Sequence, residues 1–293
     1  RMYFAISEDT LLFQDNVKIF LEDQLTVDDV RKITEGEDDL AKEELHKGLI
    51  NLGINNILIP EEYGGLGLDL LFATAVSQSL GEGVATLPFL GPYIVAPTAI
   101  KYGASDNQKE KLFAGMCQNL INFGIGFSEY FGSRDSSGLN ISDNKVTGKT
   151  LFVLDTDFAS HVMIADNKGQ IGIVSLDSND IEMIDLTTVD KTRTYKEMHF
   201  SDTPIEILDK TKSSSFAIEM ALDAGRIIAA ADSLGASQAM INKAVEYSKE
   251  RKQFNRVIGS FQAVKHMCAE MAAELEPCYS LVWHAAHSFD NDW

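Results

Sequence analysis

Positive charge is scarce in this chain. Lys and Arg number 25 against 44 Asp and Glu in 293 residues, a formal net charge of −19. Such a surface repels a phosphodiester backbone and speaks against a nucleic-acid ligand. Cysteine is rare as well: Cys117, Cys268 and Cys278 are the only three, and no two form a C-x-x-C pair. An odd, unpatterned set suits no disulfide framework and points to a reducing compartment, the cytoplasm. No run of about 18 apolar residues occurs, so no membrane span is expected. The opening Arg1-Met2-Tyr3-Phe4 has no signal-peptide pattern. Gly-x-Ser-x-Gly and Walker sequences are missing. Gly81-x-Gly83 and Gly124-x-Gly126 lack the third glycine and the strand–loop–helix setting of a dinucleotide fingerprint. Asn140-Ile141-Ser142 fits a glycosylation sequon, but nothing else suggests secretion. His284 and His287 fit one helix face, a spacing more often structural than metal-ligating, so no metal is expected.

What remains is an ordinary globular composition, 45% hydrophobic, long enough for two or three structural units and a large core. Helical spacing dominates the first ~120 residues. Phe13, Val17, Phe20 and Leu21 make one apolar stripe, and Leu45, Leu49, Ile50 and Leu52 another. The glycines of Pro60-Glu61-Glu62-Tyr63-Gly64-Gly65-Leu66-Gly67 predict a loop. Helix is predicted again over 70–80, then a break at Pro88, Gly91 and Pro92, then a capped start at Ser105-Asp106. Segments 122–127, 145–147, 150–154, 161–165, 170–176, 192–200 and 205–208 are short and rich in Val, Ile, Phe and Thr. They predict a small antiparallel β domain. After a polar linker at 210–215, two long amphipathic helices are predicted, joined at 255–259, with Pro277 kinking or interrupting the second. The expected class is α+β. A helical domain spans 1–119, a β domain 120–210, and an incomplete helical domain 211–293.

One stretch reverses the acidic balance. Lys243, Lys249, Arg251, Lys252, Arg256 and Lys265 face only Glu246 and Glu250 between residues 243 and 265. Within it, Arg251-Lys252-Gln253-Phe254 stands eight residues before Gln262. Arg251 offers a planar fork for phosphate oxygens, Gln253 an amide, and Phe254 an aromatic surface. The combination suits a nucleotide diphosphate, and it equally suits a solvated basic helix end.

The cluster sits within Gly235-Ala236-Ser237-Gln238-Ala239, Ala244-Val245-Glu246-Tyr247-Ser248-Lys249-Glu250-Arg251-Lys252-Gln253-Phe254 and Phe261-Gln262-Ala263-Val264. Together with Pro60-Glu61-Glu62-Tyr63-Gly64-Gly65-Leu66-Gly67-Leu68-Asp69, and with Gly103 followed by Gln108-Lys109, this strongly resembles the acyl-CoA dehydrogenase family. The resemblance implies a helical–β–helical fold and an FAD cofactor. It implies α,β-dehydrogenation of an acyl-CoA to a 2,3-enoyl-CoA, with electron-transfer flavoprotein as acceptor and a homo- or hetero-oligomer, dimer or tetramer, as the assembly. Arg251, Gln253, Phe254 and Gln262 would then bind the FAD of a neighbouring subunit. Phe127, Ser128, Ser133, Phe152, Val153 and Leu154 would line the flavin, and Arg134, Asp223 and Arg226 would meet the CoA substrate. Arg226 would alternatively be a structural partner of Asp223 or Glu219.

The middle of the chain departs from the family pattern. Ser128-Glu129-Tyr130-Phe131-Gly132-Ser133-Arg134-Asp135 stands where the family has Thr-Glu-Pro-x-x-Gly-Ser-Asp, so a proline is lost to Tyr130 and a serine to Arg134. Phe152-Val153-Leu154 replaces Trp-Ile-Thr, and Leu154 lacks the hydroxyl that family members place at flavin N5. Such divergence resembles the branch acting on bulky acyl-CoAs, steroid side chains included. The catalytic carboxylate of the family is expected beyond Trp293, and its alternative position is Gly225 here. A chain that continues past Trp293, a partner-dependent subunit and a non-catalytic binder all fit these departures, and an acyl-CoA oxidase is a further option.

Overall fold

The computed structural model describes residues 6–291; the readings at Arg1–Phe4 and at Trp293 lie outside them. Helix α1 (Glu8–Gln24) starts where the Ser7 hydroxyl accepts from the Thr10 amide, and it buries Val17 and Leu21 of its expected stripe. Next come α2 (Val27–Thr34) and α3 (Asp39–Asn51), which Asp38 caps and which buries Leu45 and Leu49. The glycine loop follows as expected, with Gly64 and Gly67 both at positive φ. Helices α4 (Leu70–Glu82), α5 (Ala96–Gly103) and α6 (Asp106–Cys117) complete the helical part. Ser105 and Gln108 form a capping box on α6.

The break expected at Gly91 and Pro92 is instead a wide π-helical turn, Leu90–Val95, leading into α5. A π turn accommodates a proline because its hydrogen bonds are already displaced from the regular ladder. At Gly91, the backbone N–H donates to Asp155 Oδ2 at 2.8 Å, and an added Cβ would lie 3.0 Å from that oxygen.

Eight strands form one sheet: β1 (Phe123–Gly126), β2 (Gly138–Ser142), β3 (Lys145–Leu154), β4 (His161–Ala165), β5 (Ile171–Ser175), β6 (Ile181–Asp185), β7 (Tyr195–Pro204) and β8 (Glu206–Ile207). Their order is β6-β7-β3-β1-β4-β5-β8, with β2 on β3. All pairs are antiparallel except β1 with β4, so the sheet is not purely antiparallel as expected. Strands β2 and β6 escaped prediction because each is only five residues long, and β6 leaves apolar Met183 and Ile184 exposed, which blurs its alternation.

Helix α7 (Phe216–Glu250) leads into a small hairpin, β9 (Lys252–Gln253) and β10 (Arg256–Val257), and then α8 (Gln262–Asn291). Helix α8 runs uninterrupted through Pro277. Pro277 and Ala273, whose carbonyl the proline leaves without its helical donor, are both exposed residues, so the lost bond falls on the solvent side and not in the core.

The chain divides into two compact units that do not follow chain order. One comprises Val27–Asp69 and Thr86–Arg226. Its sheet buries Val146, Val153, Val174 and Phe200 on one face, and Phe113, Phe123, Met163 and Ile218 belong to a second cluster. The other takes in the residues up to Thr26, Leu70–Ala85, and those from Ile227 onward. There the Asp290 carboxylate caps α4 by accepting from the Leu70 and Leu71 amides at 3.0 and 3.1 Å.

Candidate functional site

Within the sheet-bearing unit, the chain leaves β1 at Phe127, which is buried, and turns through a 3₁₀ segment, Ser128–Phe131. Ser128 Oγ lies 2.6 Å from the Leu151 carbonyl oxygen and 3.0 Å from both carboxylate oxygens of Glu129, so its single proton is already committed. Alongside runs β3. Its register against β7 shifts between Thr150 and Val153, placing Leu151 and Phe152 opposite one residue. This is a β-bulge. It forces Phe152 to φ +53°, a left-handed backbone uncommon for a bulky residue, and turns its ring outward to 44% exposure. Val153 returns to the core with its side chain fully buried, and Leu154 is half-buried beside Ile125 of β1. No part of Val153 is exposed to a ligand on this chain. Phe127, Ser128, Phe152 and Leu154 come together on the β1–β3 pair.

Ser133 and Arg134 sit on the exposed turn before β2. The Arg134 amide donates to Ser137 Oγ at 3.1 Å, leaving the guanidinium on the surface. Phe131 lies under Arg226, with the guanidinium carbon 5.8 Å from the ring centroid. Arg226 also donates to Asp223 at 2.5 Å, one turn away on α7. So Arg226 has the structural partner that its spacing allowed, and keeps an exposed charge beside an aromatic ring. Tyr130, which stands in place of the family proline, donates its hydroxyl to Glu219 Oε1 at 3.0 Å, and Ser215 donates to the same oxygen at 2.9 Å. Burial, and next the bond to Glu219, push the Tyr130 phenol above its ordinary pKa. Gly225 is buried, and a Cβ there would stand 3.1 Å from Val95 Cγ2.

Two polar groups of this unit have no counterpart in the sequence reading. Glu129 is 2% exposed. Asp155 is equally buried, at φ +59°, and holds the π turn through Gly91. Burial pushes its carboxyl up to about 6, although Arg193 opposes the shift. For Glu129, a charge inside the apolar run from Phe123 to Phe131 was the available signal; for Asp155 there was none.

In the other unit, the basic cluster occupies the β9–β10 hairpin. Gln253 pairs with Arg256 and Lys252 with Val257, so the connection is Phe254-Asn255, both at positive φ. Two successive left-handed residues make a type I′ turn, which suits Asn255 and strains Phe254. Phe254 is held out at 88% exposure. Arg251, Gln253 and Gln262 are exposed too. Arg256 lies flat over Phe261, its guanidinium carbon 3.9 Å from the ring centroid, and Phe254 meets the same ring edge-on at 6.2 Å. This stack stiffens the hairpin and was not foreseen. Among the described residues, no group of three or more His, Cys, Asp or Glu is placed to hold a metal, and no helix is long and apolar enough to cross a membrane.

Family models described as the acyl-CoA dehydrogenase N-terminal domain and C-terminal domain match residues 7–119 and 216–293. A 3-(aryl)acrylate reductase of Clostridium sporogenes is 28% identical over 84% of this chain and 71% of its own length. The caffeyl-CoA reductase-Etf complex subunit CarC of Acetobacterium woodii is 24% identical over 99% of this chain and 81% of its own. A glutaryl-coenzyme A dehydrogenase solved with glutaryl-CoA superposes with a TM-score of 0.86 at 23% identity, covering 99% of this chain and 78% of that one. The helical part, central sheet and C-terminal helices follow the same fold.

Proposed function

The chain belongs to the acyl-CoA dehydrogenase family, and we propose that it is an FAD-dependent oxidoreductase that converts an acyl-CoA thioester to its 2,3-enoyl-CoA. The observation that carries this reading is Phe254, almost wholly exposed on a strained turn between Arg251 and a stacked Arg256. An exposed aromatic ring on left-handed backbone is a strained position of the kind that gathers at ligand-binding sites. The donor set around it suits the dinucleotide of FAD, the family's cofactor: a guanidinium fork for the diphosphate and the side-chain amides of Gln253 and Gln262. The exposure of all four side chains favours a cofactor held on a neighbouring copy, hence an oligomer.

When bound, FAD supplies the acceptor for the hydride leaving the substrate β-carbon. The chain's own residues supply position. Phe152 brings aromatic surface to the β1–β3 pair, and Phe127 packs in the core. Ser128, its proton spent on Leu151 and Glu129, meets a ligand only as an acceptor, and Leu154 offers no side-chain donor at all. Ser133 and Arg134, with the Arg226–Asp223 pair, present charge and hydroxyl to the phosphates of CoA. The name of the caffeyl-CoA reductase relative couples it to an electron-transfer flavoprotein, and we propose a carrier of that class as this chain's electron partner.

A second reading rests on Gly225. Taking the substrate α-proton needs a base, a carboxylate in this family. Gly225 offers none, and Glu219 is occupied by Tyr130 and Ser215. A partner-dependent subunit is the second reading that fits a glycine at this position. Anaerobic titration separates the two. An active dehydrogenase emerges yellow and its visible flavin band bleaches with one of a panel of acyl-CoAs. Retained colour that no thioester bleaches supports the subunit, and a colourless protein that takes up no added FAD removes both. We further expect Arg251→Ala to weaken FAD binding about tenfold, or about 1.4 kcal/mol, as removal of one charge-assisted contact predicts. Unchanged FAD affinity by titration counts against the hairpin's role.

A further inference from the structure

We infer that Glu129 is the positioning residue for the flavin-facing bulge: it holds β3 in the shape that turns Phe152 outward. Only the consequence for the flavin rests on the FAD reading above.

A bulge removes residues from the strand ladder, and their buried N–H and C=O groups then need other partners. Leu151, buried, is such a residue. Its carbonyl accepts from Ser128 Oγ at 2.6 Å, and its N–H donates to Glu129 Oε1 at 3.0 Å. The Ser128-Glu129 pair thus does for Leu151 what a neighbouring strand does elsewhere in the sheet. The other carboxylate oxygen accepts from the buried hydroxyl of Thr150. Glu129 therefore gathers two donors, Thr150 and Leu151, around the first half of the bulge, with Ser128 Oγ, whose proton lies nearest the Leu151 carbonyl, 3.0 Å from both its oxygens. A carboxylate is buried at a heavy desolvation cost unless hydrogen bonds offset it. Here those bonds converge on one structural feature, and the next residue along the chain is Phe152 at φ +53°.

Removing the carboxylate leaves the Thr150 hydroxyl and the Leu151 amide without acceptors in the core. The strand then has a reason to slide back into register with β7, which would turn Phe152 off its outward face. Phe152 and Ser128 would move together, because both are tied to Leu151.

The test uses the full chain with FAD added, as wild type, Glu129→Ala and Glu129→Gln. Amide hydrogen exchange at Leu151 and FAD affinity with the flavin absorption spectrum are measured on each. We expect exchange at Leu151 at least tenfold faster in Glu129→Ala, FAD binding at least tenfold weaker, and flavin bands shifted towards those of free FAD. Glu129→Gln, which keeps one acceptor oxygen and the side-chain shape, falls between, and it carries both readouts if the alanine variant does not fold. Unchanged exchange at Leu151 overturns the inference. So does faster exchange with affinity and spectrum as in wild type, since a purely structural role moves the first without the second. If the wild-type chain takes up no FAD, the functional reading fails, and Leu151 exchange alone then decides whether Glu129 holds the bulge.

Discussion

Replacing Asp155 by asparagine is expected to stabilise the protein by about 3 kcal/mol at pH 8. The carboxyl is buried, and its pKa is raised from 3.8 to about 6, chiefly by desolvation, with Arg193 and the Gly91 amide opposing. A carboxyl whose folded value lies above its unfolded one favours the folded state below the unfolded value. That contribution is lost as the pH rises through the folded value. Two units of difference at about 1.4 kcal/mol each make the loss about 3 kcal/mol once the pH is well above 6. Asparagine imitates the neutral form. Its side-chain oxygen accepts from Gly91 N–H as Asp155 Oδ2 does, and asparagine tolerates the φ of +59° at least as well. The gain should shrink to about half at pH 5 and nearly vanish at pH 4, where Asp155 itself is protonated. Urea unfolding of both proteins at the three pH values measures the gap. An asparagine variant no more stable at pH 8, or a gap that ignores pH, contradicts the assignment. The π turn would thus keep its anchor in both forms while the wild type carries a charge that its fold disfavours.

Why the fold was legible and part of the site was not is a matter of range. Helices α1, α3, α6, α7 and α8 announce themselves through local periodicity, and α6 also through its Ser105 cap, all short-range signals. Arg251, Gln253 and Phe254 are legible for the same reason, since residues adjacent in sequence do the presenting. Features that depend on distant pairing stayed hidden. That β1 lies parallel to β4 follows from strand order, which no window of residues encodes. The bulge at Leu151-Phe152 arises from register against β7 more than 40 residues on. Asp155 and Gly91, 64 residues apart, meet only after folding. Pro277 misled for an opposite reason: a proline on the exposed face of a long helix loses one bond to water rather than to the core.

The same distinction sets the expectation for Gly235, where a methyl group should cost at least about 2 kcal/mol. Glycine in a helix interior normally loses to alanine by about 1 kcal/mol, so Gly235→Ala would be stabilising on local grounds alone. At this position α7 crosses α4 with the backbones almost touching. An added Cβ would fall 1.9 Å from the Gln78 carbonyl oxygen and 2.8 Å from the Glu82 amide nitrogen. Gly81 on α4 reciprocates, its imagined Cβ 2.0 Å from the Asp232 carbonyl oxygen. Both obstacles are main chain, which cannot rotate aside as a side chain does. The helices must part, and contacts of the Leu80 and Leu234 side chains, buried in the same unit, loosen with them. Overpacking of a tight core costs about 1–3 kcal/mol and sometimes more. A backbone clash belongs at or beyond the top of that range, and the propensity gain offsets only part of it. Gly225→Ala supplies the comparison on the same helix. Its Cβ would meet only a Val95 methyl at 3.1 Å, a side-chain contact that a small shift of a few tenths of an ångström relieves and not a main-chain clash. That variant should stay within about 1 kcal/mol of wild type. Thermal and urea unfolding of the two variants side by side gives the measurement. If Gly235→Ala is as stable as Gly225→Ala, the helices at this crossing are not locked by their glycines, and the close approach of α4 and α7 is not what fixes that unit.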